Sequence, residues 1–105
     1  MSIDLTGRRA IVTGAGAGIG AAIARALAHA GADVIVHYAT SAEGARAVCD
    51  EITGLGRRSA AIQADLTDSP QADRLVDEAA QFLGGLDILV NNAGHLVGRA
   101  PTAET

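Results

Sequence analysis

A glycine-rich segment between a β-branched run and an alanine-rich stretch constrains this chain more than any other feature. Residues 11–13 predict a strand, and the alanine-rich stretch predicts a helix that ends at about Ala30. Glycine permits a sharp turn between them, and because it has no Cβ it lets a ligand approach the backbone closely. Free N–H groups and the positive end of the helix dipole attract an anion. The residues predicted to form this phosphate-binding turn are Gly14, Ala15, Gly16, Ala17, Gly18, Ile19 and Gly20.

Strand and helix patterns alternate along the rest of the chain. Apolar runs at about residues 9–13, 33–38, 59–64 and 87–91 predict four strands, with three helical patterns between them. The runs are continuous, which is typical of strands that are covered on both faces. We therefore predict an α/β fold with a doubly wound, mostly parallel sheet and right-handed connections.

Each predicted helix carries an apolar stripe that should pack against the sheet. The stripe of the first helix comprises Ile19, Ile23, Ala26, Leu27 and Ala30. The stripe of the second helix comprises Ala45, Val48, Cys49, Ile52 and Leu55. The stripe of the third helix comprises Ala72, Leu75, Val76, Ala79, Phe82 and Leu83.

Composition narrows the class of protein. The chain has 105 residues, 49% of them hydrophobic, and a net charge of −4, which suits one globular domain over residues 1–105. The basic residues are scattered, so we expect no nucleic-acid partner and no membrane surface. No apolar stretch has membrane-spanning length and the N-terminus lacks a secretory pattern, so we expect a cytoplasmic protein. Cys49 is the only cysteine and the histidines are scattered, so we predict neither a disulfide nor a metal site.

A second motif, Asn-Asn-Ala-Gly at residues 91–94, follows the fourth predicted strand. Asn91 and Asn92 are poor strand residues, but their amides can bond neighbouring backbone groups and fix a loop. Ala93 and Gly94 are small, so a planar ligand can lie against their backbone. In an open parallel sheet, ligands bind outside the carboxyl ends of the strands, where the strand order reverses. We therefore predict that the glycine-rich turn and this loop line one crevice.

Together, the two motifs resemble those of the short-chain dehydrogenase/reductase family. Thr13, Gly14, Gly18 and Gly20 match the family pattern Thr-Gly-x-x-x-Gly-x-Gly, and the Asn-Asn-Ala-Gly loop and Asp65 agree with it. The resemblance covers nearly the whole chain. It implies the N-terminal, cofactor-binding half of a Rossmann-type domain, with an incomplete sheet of about four strands in the order 3-2-1-4 and three helices. It also implies an oxidoreductase that transfers hydride between a nicotinamide dinucleotide and a carbonyl or alcohol substrate.

The resemblance further implies which residues contact the cofactor. The carboxylate of Asp65 would reach the adenine amino group, assisted by the backbone of Leu66. An acid at the end of the second strand usually holds the ribose of NAD, but this chain has none there. That absence favours NADP over NAD, although the arginine often found at the position of Ala17 in NADP-using relatives is missing. The remaining predicted contacts are Tyr38, Ala39, Thr40, Ser41, Asn92, Ala93 and Gly94.

The family's catalytic residues have no counterpart in this sequence. Family members use Tyr and Lys at Tyr-x-x-x-Lys spacing, a Ser that orients the substrate, and an Asn that anchors a water. This chain contains no Lys, and its one Tyr, Tyr38, falls on the adenine side. We assign no catalytic residue, and the chain resembles the first part of such an enzyme, truncated soon after the fourth strand. Two alternatives remain open, a non-catalytic dinucleotide-binding module and a truncated, inactive fragment.

Truncation at this point would affect the sheet. The fourth strand would become an edge, and the apolar face of residues 88–90 would lack one covering helix. Exposed apolar edge strands tend to pair with another chain. We therefore expect a homo-oligomer, or other self-association through this edge.

We predict that the 105-residue chain alone binds cofactor weakly or not at all and has no activity by the family mechanism. The reason is that no Lys is present to lower the pKa of a catalytic Tyr. The absorbance of NADPH mixed with the pure chain should not fall faster when carbonyl compounds are added. Substrate-dependent NADPH oxidation by this chain would refute the prediction.

Overall fold

Four parallel strands form one sheet in the order β3-β2-β1-β4, flanked by three helices. The computed structural model describes residues 3–92. The elements are β1 (Arg9–Val12), α1 (Gly18–His29), β2 (Asp33–Tyr38), α2 (Ala42–Gly54), β3 (Ser59–Gln63), α3 (Ser69–Leu83) and β4 (Ile88–Val90). The predicted fold class and strand order are confirmed, and the predicted strand limits agree within one residue at each end.

Two apolar cores lie on opposite faces of the sheet. Val12, Val34 and Val36 pack with α1 and α2 on one face. Ile11 and Ile35, which alternate with those residues along β1 and β2, pack with α3 on the other face. Coverage on both faces explains why these strands are continuously apolar.

The predicted apolar stripe of α1 was partly wrong. Ile19 lies 74% exposed at the start of the helix, and Ala26 is also exposed. The physical reason is the small size of the residues on the opposite side, which let α1 lie close to the sheet. The buried residues of α1 are Gly20, Ala21, Ala24 and Ala28.

The stripes of α2 and α3 were correct except for Leu55, Phe82 and Cys49. Leu55, which follows α2, is 37% exposed, and Phe82, in the last turn of α3, is 47% exposed. Cys49 is half-buried and only packs against the margin of its core. The other predicted residues of both stripes are buried: Ala45, Val48, Ile52, Ala72, Leu75, Val76, Ala79 and Leu83.

Three arginines bind helix C-termini at the amino end of the sheet. Arg9 pairs with Asp87 at 3.0 Å and also donates to the Gly84 carbonyl at 2.8 Å. Arg57 donates to the Ala28 carbonyl at 3.0 Å, and Arg58 donates to the Leu83 carbonyl at 2.8 Å. A cation there satisfies carbonyls that lack helical partners and opposes the negative end of the helix dipole. At the carboxyl end of the sheet, Arg74 donates to the Gln63 carbonyl at the end of β3, at 2.8 Å.

The expectation that the apolar face of β4 is uncovered was wrong for Leu89 and Val90. Leu89 is 3% exposed within the core beside α3, and Val90 is 5% exposed within the core beside α1. In the described part of the chain, β4 pairs with β1 alone, so its outer backbone edge remains a sheet edge.

None of the helices described here has the length and apolar character needed to cross a bilayer.

Candidate functional site

An open cleft of about 180 Å³ lies where the glycine-rich turn meets the end of β2. One wall is the turn after β1, and the other is the segment that joins β2 to α2. The cleft thus joins two groups of residues that the sequence had predicted separately. Its lining residues are Gly14, Gly16, Ala17, Tyr38, Ala39, Thr40 and Ser41.

Glycine is required at several points of this turn. Gly14 and Gly18 have φ values of +62° and +58°, in the left-handed region that favours glycine. A Cβ on Gly20 would overlap the Gly14 carbonyl and lie 2.6 Å from the side-chain nitrogen of Asn92. A Cβ on Gly16 would lie 3.0 Å from the carbonyl oxygen of Ser41. The turn is therefore held between α1, the end of β4 and the start of α2.

The start of α1 presents N–H donors that have no partner within residues 3–92. The N-cap, Ala17, has no side-chain oxygen, and the first helical hydrogen bond runs from the N–H of Ala21 to the Ala17 carbonyl. The N–H groups of Gly18, Ile19 and Gly20 precede that bond. Unpaired N–H groups at a helix start, together with the positive end of the helix dipole, form an anion-binding arrangement.

Two residues of the predicted turn direct their N–H groups away from the cleft. Gly14 donates its N–H to Nδ1 of His37 at 3.0 Å, and Ala15 donates to the His37 carbonyl at 2.9 Å. Ala15 is also fully buried. Gly14 keeps a place in the lining, but neither N–H is available to a ligand.

His37 is the site residue that sequence reasoning missed. Its side chain is 1% exposed, and Nε2 lies 2.9 Å from the Ala64 carbonyl. Because the Gly14 N–H needs an acceptor and the Ala64 carbonyl needs a donor, the ring is neutral, with its proton on Nε2. Burial lowers the pKa of His37, and the hydrogen bond to Ala64 opposes that shift only in part. The sequence signal that could have identified His37 is that a polar residue directly follows the buried apolar run of residues 34–36.

The asparagine motif lies next to the glycine-rich turn, as predicted. The side-chain nitrogen of Asn92 donates to the Gly14 carbonyl at 3.3 Å. The hydroxyl of Thr13 donates to the side-chain oxygen of Asn91 at 3.3 Å. The predicted contacts Ala93 and Gly94 lie outside the described residues.

Asp65 and Leu66 follow β3 at the same end of the sheet. The N–H and hydroxyl of Thr67 donate to the Asp65 carboxylate at 3.0 and 2.6 Å, which lowers the pKa of Asp65 and keeps it ionised. The Leu66 side chain is 5% exposed in the core beside α3, so only its backbone can meet a ligand. Their contact with adenine stays a prediction.

The residues that line the cleft have no charged side chains. No carboxylate and no cation belongs to the lining residues, so polar contacts there come from backbone groups and the hydroxyls of Tyr38, Thr40 and Ser41. Over residues 3–92, no three His, Cys, Asp or Glu side chains are grouped as a metal ion would require.

The first turn of α2 packs directly against the backbone of the glycine-rich turn at Gly16. A Cβ on Gly44 would overlap the Gly16 carbonyl, whereas a Cβ on Gly54 in the same helix would meet nothing within 4 Å. We therefore expect Gly44→Ala to lower the free energy of unfolding by about 1–3 kcal/mol through overpacking. Gly54→Ala, the matched control, should raise it by up to about 1 kcal/mol because alanine is the better helix former. Urea unfolding followed by circular dichroism measures both, and equal effects would contradict the contact.

Stability should also depend on pH through His37. The pKa of His37 in the folded chain is lower than its ordinary value of 6.5, so the unfolded chain binds more protons between the two pKa values. The free energy of unfolding should therefore fall as the pH drops below about 6.5, by at most about 1.4 kcal/mol per pH unit, and level off below the folded pKa. Urea unfolding at pH 7.5, 6.5 and 5.5 measures the slope, and His37→Asn should reduce it. An unchanged slope in the variant would contradict this assignment.

Comparison with known proteins places the chain in a family. Residues 8–105 match the family model described as short chain dehydrogenase. An uncharacterised oxidoreductase of Methylorubrum extorquens is 54% identical over 90 residues, which are 86% of this chain and 36% of that protein. A short chain dehydrogenase of Burkholderia cenocepacia, in complex with NADP, is 56% identical with a TM-score of 0.84, over 92% of this chain and 39% of that one.

A third similar protein is a 7α-hydroxysteroid dehydrogenase in complex with NADH. It is 46% identical with a TM-score of 0.79, over 84% of this chain and 34% of that one. The chain thus spans about a third of the length of the relatives it matches. The family match includes the sheet, the three helices and the glycine-rich turn described above. This chain belongs to the short-chain dehydrogenase family.

Proposed function

We propose that this chain binds a nicotinamide dinucleotide, NADP in preference to NAD, as the cofactor-binding portion of a short-chain dehydrogenase acting on a carbonyl or alcohol. The observation that carries the proposal is the cleft itself. Unpaired N–H groups at the start of α1 adjoin it, and the end of β2 closes its other side without an acidic side chain.

The residues fit such a cofactor part by part. The N–H groups of Gly18, Ile19 and Gly20 suit the pyrophosphate, which is held by backbone dipoles without a cation. The segment of Tyr38, Ala39, Thr40 and Ser41 suits the adenosine ribose, and the ionised Asp65 suits the adenine amino group. Asn92, Ala93 and Gly94 complete the proposed contacts. When bound, the dinucleotide supplies or accepts hydride.

The preference for NADP depends on the end of β2. The similar proteins include one in complex with NADP and one with NADH, so similarity alone does not decide between them. A carboxylate at this point would repel a 2′-phosphate and bind a free ribose hydroxyl. Here Thr40 and Ser41 offer hydroxyls and N–H groups, and no lining residue is acidic.

Titration of the labelled chain with NADPH and NADH tests the proposal, since amide chemical shifts report even weak binding. We expect shifts in Gly16, Gly18 and Gly20 with both ligands, and a lower dissociation constant for NADPH. Ala39→Asp should weaken NADPH binding by about tenfold or more through charge repulsion while NADH binding holds. Ala39→Asn is the matched neutral control, and Ala39 is exposed, so neither change should disturb folding. Of the two outcomes expected from the sequence, weak binding and no binding, the proposal requires weak binding, so absence of shifts with either ligand would refute it.

A non-catalytic dinucleotide-binding module is the second candidate. The observation that favours it is the missing Lys together with a single Tyr that lines the cleft on the proposed adenosine side. A truncated, inactive fragment would give the same sequence. Binding of NADPH without substrate-dependent oxidation distinguishes a competent module from an inactive scaffold that binds nothing.

We further propose self-association through the outer backbone edge of β4, which pairs only with β1 among the described strands. The exposed edge of a sheet offers unpaired N–H and carbonyl groups to another strand. The carbonyl or alcohol substrate is proposed here as a class alone.

A further inference from the structure

We propose that His37 is a positioning residue for the phosphate-binding turn. Its ring accepts a hydrogen bond from the N–H of Gly14, and this bond directs the following N–H groups of the turn toward the cleft. The dinucleotide named as ligand rests on the proposed function, whereas the positioning role rests on geometry alone.

One residue anchors two successive N–H groups of the turn. The His37 ring accepts from Gly14 at 3.0 Å, and its carbonyl accepts from Ala15 at 2.9 Å. Both bonds lead away from the cleft, toward β2. The next N–H groups along the chain, from Gly16 to Gly20, make no hydrogen bond to the described backbone. His37 thus accepts the last two N–H groups of the turn that bond within the protein, and the N–H groups that follow them are available to a ligand.

The other side of the ring fixes its orientation. Nε2 donates to the Ala64 carbonyl at 2.9 Å, and the N–H of Ala64 donates to the Tyr38 carbonyl at 3.1 Å. Ala64 immediately precedes Asp65, the proposed adenine contact. A single buried ring therefore joins the turn, the end of β2 and the end of β3, which carry three separate parts of the proposed ligand contact.

Loss of the acceptor would disturb the turn because the ring is almost completely buried. Gly14 is only partly exposed, so its N–H would lose its partner at a point where water has little access. The turn would then rotate that N–H toward solvent. The Gly14 carbonyl, which accepts from Asn92 and lies against Gly20, would move with it.

Two substitutions separate the two ring bonds. The side-chain oxygen of Asn lies as many bonds from Cβ as Nδ1 of His, so His37→Asn keeps an acceptor for Gly14 and loses the bond to Ala64. The side-chain nitrogen of Gln corresponds in the same way to Nε2, so His37→Gln keeps a donor for Ala64 and loses the acceptor for Gly14. His29→Gln, on the exposed face of α1, is the control for removal of a histidine.

Nuclear magnetic resonance of the labelled 105-residue chain, with NADPH as the probe, measures the effect. We expect a scalar coupling between the Gly14 nitrogen and Nδ1 of His37 in the parent chain. The Gly14 amide shift should persist in His37→Asn and be lost in His37→Gln. NADPH should bind His37→Asn within about threefold of the parent and His37→Gln about tenfold or more weakly. His29→Gln should match the parent.

Each alternative result has a definite meaning. Equal losses of affinity in the two His37 variants, or no loss in either, would overturn the positioning role. If both variants fail to fold, the parent decides, because absence of the coupling to Nδ1 overturns the proposal and its presence supports it. If the parent itself shows no NADPH-dependent shifts, the proposed function fails, while the coupling still decides whether His37 holds the turn.

Discussion

Direct contact between backbone segments at the carboxyl ends of β1 and β2 controls the rest of this structure. The first turn of α1 approaches the Gly14 carbonyl so closely that only glycine fits at Gly20. The first turn of α2 approaches the Gly16 carbonyl in the same way at Gly44. Because no side chains separate these backbone segments, a small displacement of either helix would make atoms overlap. The glycine-rich turn, which lies in space between the starts of α1 and α2, therefore keeps one shape. That shape leaves the N–H groups at the start of α1 unpaired beside the cleft.

The same close approach suits the small residues that α1 buries. The buried residues of α1 are glycine and alanine, whereas α2, on the same face of the sheet, also buries Val48 and Ile52. On the other face, α3 buries Leu75, Val76 and Leu83. Ile19 is exposed because the glycine and alanine side of α1 faces the sheet.

Much of the fold was predictable from periodicity and spacing. Continuous apolar runs indicated strands covered on both faces. The glycine and asparagine motifs predicted one crevice; the bond from Asn92 to Gly14 makes the two motifs neighbours, but neither Asn91 nor Asn92 lines the cleft. The side chains near helix ends were less predictable. Phe82 continues the apolar stripe of α3, yet it is 47% exposed while the next residue, Leu83, is buried. Hydrophobic periodicity gives the direction of a helix face but not which edge of that face the neighbouring layer covers.

The amino-acid sequence alone determined the order of the elements, the position of the glycine-rich turn and the absence of an acid at the end of β2. These features depend on local composition and on spacing along the chain. Only the tertiary structure decided which N–H groups of the turn remain available and which are bound to His37. Gly14, His37 and Ala64 are distant in sequence, and a hydrogen bond among them exists only after parallel pairing brings the carboxyl ends of β1, β2 and β3 together.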